Sequence, residues 1–122
     1  MADVAKSVEE FFDGSDEAIA IAEAVCTAID DLGSADMRIT KSQVGFRRKR
    51  AFAQLWKPGQ YVKSEVPVVL TLELPHELKS KRFKEVAHPA DGHWTHHLEL
   101  SDPGAVDDQV RSWLSEAYDA AG

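Results

Sequence analysis

With 122 residues, a formal net charge of -7, 43% hydrophobic and 29% charged residues, the chain is long enough to bury one core and too apolar to be disordered; it has no run near the ~18 apolar residues a membrane helix needs. One domain over residues 1–122 is expected. Cys26 is the only cysteine, which excludes an intrachain disulfide, a cysteine-based zinc cluster and a CxxC redox pair. The opening "MADVAKSVEEFF" has neither a basic leader nor an apolar run, so a cytoplasmic location without membrane contact is the expectation.

The charge is segregated. Residues 1–36 carry ten acidic side chains against Lys6, residues 37–98 carry twelve basic against five acidic, and residues 99–122 carry six acidic against Arg111. A basic middle therefore lies between acidic ends, and no acidic residue occurs from Met37 to Lys63.

In chain order, Val4, Val8, Phe11 and Phe12 recur at helical spacing and Gly14 offers a stop. Ser15 is an N-cap candidate, with Asp16 and Glu17 in the first turn, where carboxylates suit the helix dipole. Ala18, Ala22, Val25, Ile29 and Leu32 give the second helix its apolar stripe, ended by Gly33. Cys26 sits at the edge of that stripe, where a thiol packs as a small apolar group. The pattern then becomes alternating. Met37 and Ile39 form one short strand and Val44 and Phe46 a second. In a third, Phe52 and Trp56 flank Gln54 on one parity while Ala51, Ala53 and Leu55 take the other. "EVPVVLTLELP" places Val66, Val68, Leu70, Leu72 and Leu74 on one face and is the clearest strand. "RFKEVAHP" is weaker, and "HWTHHLEL" sets Trp94, His96, Leu98 and Leu100 together. Asp102 and Pro103 are expected to open a last helix with Val106, Val110, Trp113, Leu114, Ala117 and Tyr118 as its stripe. Strands bunched without helices between them predict an α+β two-layer domain, an antiparallel sheet of about five strands with two N-terminal helices and one C-terminal helix.

The stretch "KSQVGFRRKRAFAQLW" sets Arg47, Arg48, Lys49 and Arg50 side by side in an acidic protein. If the chain stayed extended, Arg48 and Arg50 would share the parity of Val44, Phe46 and Phe52 and enter the core. Burying an unpaired guanidinium costs several kcal/mol, so a bend at 48–50 is expected, although no Gly, Asn or Asp marks it. Such a run protects a turn or sheet edge when it is structural. As a site it would grip anions, with Lys41, Arg47, Arg48, Lys49 and Arg50 on phosphates and Trp56 stacking on bases, supported by Arg38, Lys57, Lys63 and Tyr61. The acidic helices would repel a polyanion that strayed beyond this side.

His88, His93, His96 and His97 with Asp91 resemble a metal cluster by composition. On a strand, however, His93 and His97 lie ~13 Å apart and His96 and His97 point oppositely, whereas a shared zinc needs each nitrogen at about 2.0–2.1 Å. No metal and no cofactor is expected. The glycines are scattered, which leaves no GxGxxG, P-loop or GxSxG. Glu73 with Glu77 and Lys79 is only superficially like a metal nuclease arrangement, because Pro75 breaks the strand between them. No general acid and base pair is recognisable, and a binding module is expected rather than an enzyme.

"FFDG", "KSQVGFRRKRAFAQLW", "HHLELSD" and "WLSEAY" together resemble a bacterial family catalogued only as a domain of unknown function. The resemblance spans nearly the whole chain and rests on a lysine before the "VGF" strand, an "FA" pair after a basic turn, a "H-x-L" strand and a helix ending in "AY". Members of that family occur alone or at the end of larger proteins, some nuclease-like and some labelled as transport proteins; the family supplies no catalytic residue to carry over. "HWTHHLEL" and the last helix are also similar to the YjbR/MmcQ proteins, which implies a CyaY-like α+β fold and a double-wing DNA-binding surface. This chain departs from those proteins in its two N-terminal helices and its ending. The expected function is a non-catalytic module whose basic segment contacts nucleic acid or another polyanion. The alternative is a protein-interaction or self-association domain whose basic side meets an acidic surface.

Overall fold

A computed structural model describes residues 7–58 and 66–122. Its elements run α1 (Val8–Phe11), α2 (Asp16–Leu32), β1 (Asp36–Ile39), β2 (Val44–Arg47), β3 (Ala51–Trp56), β4 (Val68–Leu74), β5 (Phe83–Ala90), β6 (His93–Leu100) and α3 (Asp108–Ala120). The strands form one antiparallel sheet in the order β1-β2-β3-β4-β6-β5, an α+β arrangement with six strands rather than about five. β6 inserts between β4 and β5.

Local chemistry sets the helix ends. Ser7 Oγ accepts from Glu10 N and Ser15 Oγ from Ala18 N, both at 3.1 Å, so each hydroxyl satisfies an N–H that the helix leaves orphaned. Gly14 and Gly33 have φ of +94° and +142°, conformations in which a Cβ is strained. Gly33 has a second reason to be glycine: a Cβ there would collide with the Tyr118 hydroxyl, which donates to Ser34 O at 3.0 Å and ties the end of α2 to α3. The last helix begins later than Asp102–Pro103 suggest. Pro103–Ala105 forms a short 3-10 turn, and the true N-cap is Asp107, whose Oδ1 accepts from Val110 N at 3.1 Å. That hydrogen bond, then Arg82 at 3.0 Å, holds the Asp107 carboxyl below its usual pKa. Val4 lies outside the described residues.

The helices cover one face of the sheet. Ile21, Ala22, Val25 and Ile29 of α2 and Val110, Leu114 and Ala117 of α3 are buried against Val44, Phe46, Leu55, Leu70, Leu72, Leu98 and Leu100. β3 departs from simple alternation. The register shifts between Phe46 and Arg47, so Phe46 faces Ala53 and Arg47 faces Ala51, leaving Phe52 as the extra residue of a β-bulge. Phe52 and Ala53 are both fully buried, and Phe52 meets Tyr118 edge-on at 5.6 Å. Phe52 thus joins the core and does not share a face with Gln54 and Trp56.

His96 was grouped with the aliphatic residues of its strand, and it is indeed in the core with no exposure. Its Nε2 accepts from Leu78 N at 2.8 Å, and its Nδ1 lies 3.3 Å from Leu72 O. The ring therefore carries its hydrogen on Nδ1 and pins the segment crossing from β4 to β5 onto the sheet. Burial pushes its pKa down, against the hydrogen bond to Leu72.

Two outcomes follow from these contacts. Gly33→Ala should destabilise by about 2 kcal/mol, combining backbone strain with displacement of Tyr118, read as a shift in the urea midpoint. His96 favours its neutral form when folded, so its contribution is complete above about pH 6.5, the ordinary histidine value. It is lost as pH falls through the lower folded pKa. The urea midpoint of the wild type should drop in that direction, and His96→Gln should flatten the profile.

Candidate functional site

The six residues singled out in the sequence fall into two groups. Arg48, Lys49 and Arg50 form the bend at the tip of the β2–β3 hairpin, closed by Arg48 N to Arg50 O at 3.0 Å, and Arg47 is the last residue of β2. Lys41 lies in the turn at the opposite end of β2, and Trp56 ends β3. Ala51 to Trp56 spans about 17 Å of strand, so Trp56 and the basic bend do not converge. Tyr61 and Lys63 lie outside the described residues.

The bend docks on the C-terminal end of α3. The Arg48 guanidinium donates to Tyr118 O at 2.9 Å and lies 4.0 Å from the Tyr118 ring centroid. Lys49 N and Arg50 N both donate to Ala121 O, at 2.9 and 3.3 Å. A helix end leaves carbonyls unsatisfied and carries partial negative charge. The last turn of α3 holds Asp119 and no cation of its own, and the hairpin supplies one. Arg47, through a hydrogen bond to Lys49 O at 3.1 Å, stays on the bend itself, and all four side chains are exposed. Lys57 does for α1 what Arg48 does for α3, donating to Phe11 O at 2.9 Å and sitting 4.9 Å from the Phe11 ring centroid.

Trp56 belongs to the sheet face that the described helices leave open. Cross-strand partners share a face, so the register lays out rows of side chains here. Trp56, Val69 and Glu99 make one row, Gln54, Thr71, His97 and Glu85 the next, and Glu73, Thr95 and Ala87 a third. All of these except Ala87 line a depression of about 700 Å³ that also takes in Ser42, Gln43, Pro58 and Lys84. At its centre Trp56 Nε1–H donates to Thr71 Oγ1 at 2.8 Å, and Thr71 Oγ1 lies 2.9 Å from His97 Nδ1. With the hydroxyl donating onward, His97 carries its hydrogen on Nε2. The Trp56 and His97 rings meet edge-on at 6.0 Å. Glu73 Oε1 accepts from Thr95 Oγ1 and faces His93 Nε2, both at 2.8 Å. The rim carries Glu73, Glu85 and Glu99 against Lys84, so the depression is acidic. Of its residues only Trp56 is a binding candidate by sequence; His97 and Glu73 enter there only as metal-site residues. The signal for the rest was the polar parity of Gln54, Thr71, Glu73, Thr95 and His97, which becomes a site only when β4 and β6 are known to be neighbours.

The remaining histidines do not gather. His88 stacks on Trp94 at 3.7 Å between centroids, and among the described residues no group of three or more His, Cys, Asp or Glu is placed to hold a metal ion. Burial, with Asp30, Glu9 and Glu23 nearby, pushes the Cys26 thiol up to about 11, so it is protonated at neutral pH. No helix among the described residues is long and apolar enough to cross a membrane.

If Arg48 is a helix cap, Arg48→Ala should lower stability by about 1 kcal/mol, a charge-assisted hydrogen bond discounted for solvent exposure. Lys49→Ala and Arg50→Ala should stay within about 0.5 kcal/mol, because their contacts are made by backbone. Urea unfolding of the three variants separates these cases.

Neither the curated proteins nor the solved structures contain a significant match to this chain. A family model described as a domain of unknown function, DUF5655, matches residues 8–121, and with nearly its whole length inside that match the chain belongs to this family.

Proposed function

We propose that the domain is a binding module and that its ligand face is the open side of the sheet around Trp56. The observation that carries the reading is the depression of about 700 Å³ lined by Trp56, Gln54, Thr71 and His97, within the size range of small-molecule sites. Its chemistry selects the ligand. An indole ring beside Glu73, Glu85 and Glu99 suits a planar group bearing a cationic nitrogen, which gains from the aromatic face and from the carboxylates. An anion would meet three carboxylates and one lysine.

The test is a titration of the ¹⁵N-labelled protein with benzamidine and with benzoate, its anionic counterpart, following the Trp56 indole N–H resonance. Benzamidine should shift that resonance saturably, benzoate should leave it in place, and Glu99→Gln should weaken the benzamidine response. Equal response to both probes, or none to benzamidine, rejects the reading.

A second reading keeps the polyanion, whether nucleic acid or an acidic protein surface, and places it on the hairpin tip. The favouring observation is that Arg47, Lys49 and Arg50 are exposed there on a bend held by α3. Three phosphate contacts predict that affinity falls roughly 40-fold between 50 and 200 mM salt. The triple alanine variant of Arg47, Lys49 and Arg50, with Arg48 kept for the helix, should abolish that salt slope; an unchanged slope eliminates the tip as the contact.

A further inference from the structure

The two edges of the sheet are built differently. β5 carries Lys84 and Pro89 and breaks its register with β6 twice, between Phe83 and Glu85 and between Ala87 and Ala90. Charged residues, proline and bulges are the devices that keep an edge strand from pairing with another chain. β1, at the opposite edge, pairs with β2 in unbroken register from Asp36 to Ile39 and has no proline. It also bears Met37, 48% exposed, the one large exposed hydrophobic residue among those described.

The hydrogen-bonding direction of β1 can be read from its turn. Thr40 N donates to Gln43 O at 2.9 Å, so Thr40, and by alternation Arg38 and Asp36, direct their backbone groups toward β2. Ala35, Met37 and Ile39 direct theirs away from the sheet. The side chains alternate as well. Met37 and Ile39 pair with the buried Phe46 and Val44 and lie on the helix side, while Arg38 pairs with Gly45 on the open side.

We propose that β1 pairs with β1 of a second copy of this chain, antiparallel, about a twofold axis at Met37. An isologous interface must be self-complementary, and this register is. Met37 lies opposite the partner's Met37 and Ala35 opposite the partner's Ile39, all on the helix side. On the open side Asp36 lies opposite the partner's Arg38 and Arg38 opposite the partner's Asp36. The outward backbone groups of Ala35, Met37 and Ile39 then make about six hydrogen bonds. Charge selects this register over its neighbours: sliding by two residues sets Arg38 on Arg38 or Asp36 on Asp36, and like charges directly opposite destabilise a pair. The two methionines meet at the mouth of a cavity of about 440 Å³ lined by Phe46, Cys26, Ile29 and Ala35. Because the axis runs perpendicular to the sheet, both open faces lie on the same side of one continuous sheet.

Sedimentation velocity over a concentration series tests the pairing on the full chain. The wild type should show a monomer–dimer equilibrium. Asp36→Arg alone and Arg38→Asp alone should each shift it at least tenfold toward monomer, and the double variant D36R/R38D should restore it, since the exchanged charges again meet in opposite pairs. Met37→Pro removes an N–H that β2 does not use, so it should leave a folded monomer by circular dichroism. A wild type that is monomeric at every concentration overturns the proposal, as does a dimer indifferent to the single reversals. If the charges instead guard the edge against association, each single reversal strengthens the dimer or leaves it unchanged and the double variant shows no restoration, which overturns the proposal as well.

Discussion

The helices of this domain begin with carboxylates and end without cations. α1, α2 and α3 each carry acid in the first turn and no basic residue in the last, which suits the N-terminal end of a helix and leaves its carbonyl end uncompensated. The compensation for α1 and α3 arrives from the two ends of β3, as Lys57 just after it on Phe11 O and Arg48 in the bend before it on Tyr118 O. The segregation of charge along the chain is thereby also a rule of assembly. Acidic helical segments and a basic sheet segment complete one another only when the layers are stacked in the observed way. The bend is anchored to α3, Tyr118 to Ser34 and Phe52 to Tyr118, so one end of the molecule is knitted from three elements distant in sequence.

A sheet covered on one side by helices leaves its other side to be explained. In most strands here that side is polar, as an exposed sheet face should be, but its central residues are not merely wet. Gln54 and Thr71 are nearly buried, and Trp56 leans over them in a chain of hydrogen bonds ending at His97. A fixed indole beside a fixed imidazole, rimmed with carboxylates, is the arrangement on which the proposed ligand face rests. The basic bend, in contrast, has its most constrained cation committed to a helix end.

Much of the fold was legible in the residues. Ser15 and Gly33 mark the limits of α2, and the single parity of Val68, Leu70, Leu72 and Leu74 marks the core face of β4. The cost of burying Arg48 and Arg50 located the bend without any turn residue to announce it. What stayed hidden has physical reasons. Phe52 looked like a partner of Trp56 because alternation assumes a regular ladder, and a bulge with no glycine leaves no trace in composition. Asp102 and Pro103 imitate a helix start well enough to conceal the stronger cap at Asp107, whose advantage depends on Arg82 arriving from another part of the chain. The open-face site depends on β6 lying beside β4, a long-range pairing that no local pattern encodes.

The bulge at Phe52 gives β3 two consecutive core residues, Phe52 and Ala53. Beyond it, Ala53 and Leu55 face the helices while Gln54 and Trp56 face outward. Without Phe52, Arg47 would still face Ala51 and Phe46 would still face Ala53 in an unbroken ladder, so the two faces would keep their residues and the core would lose the ring that meets Tyr118. The bulge is therefore an insertion that the ladder absorbs: it adds one aromatic side chain to the core while Gln54 and Trp56 stay on the open face.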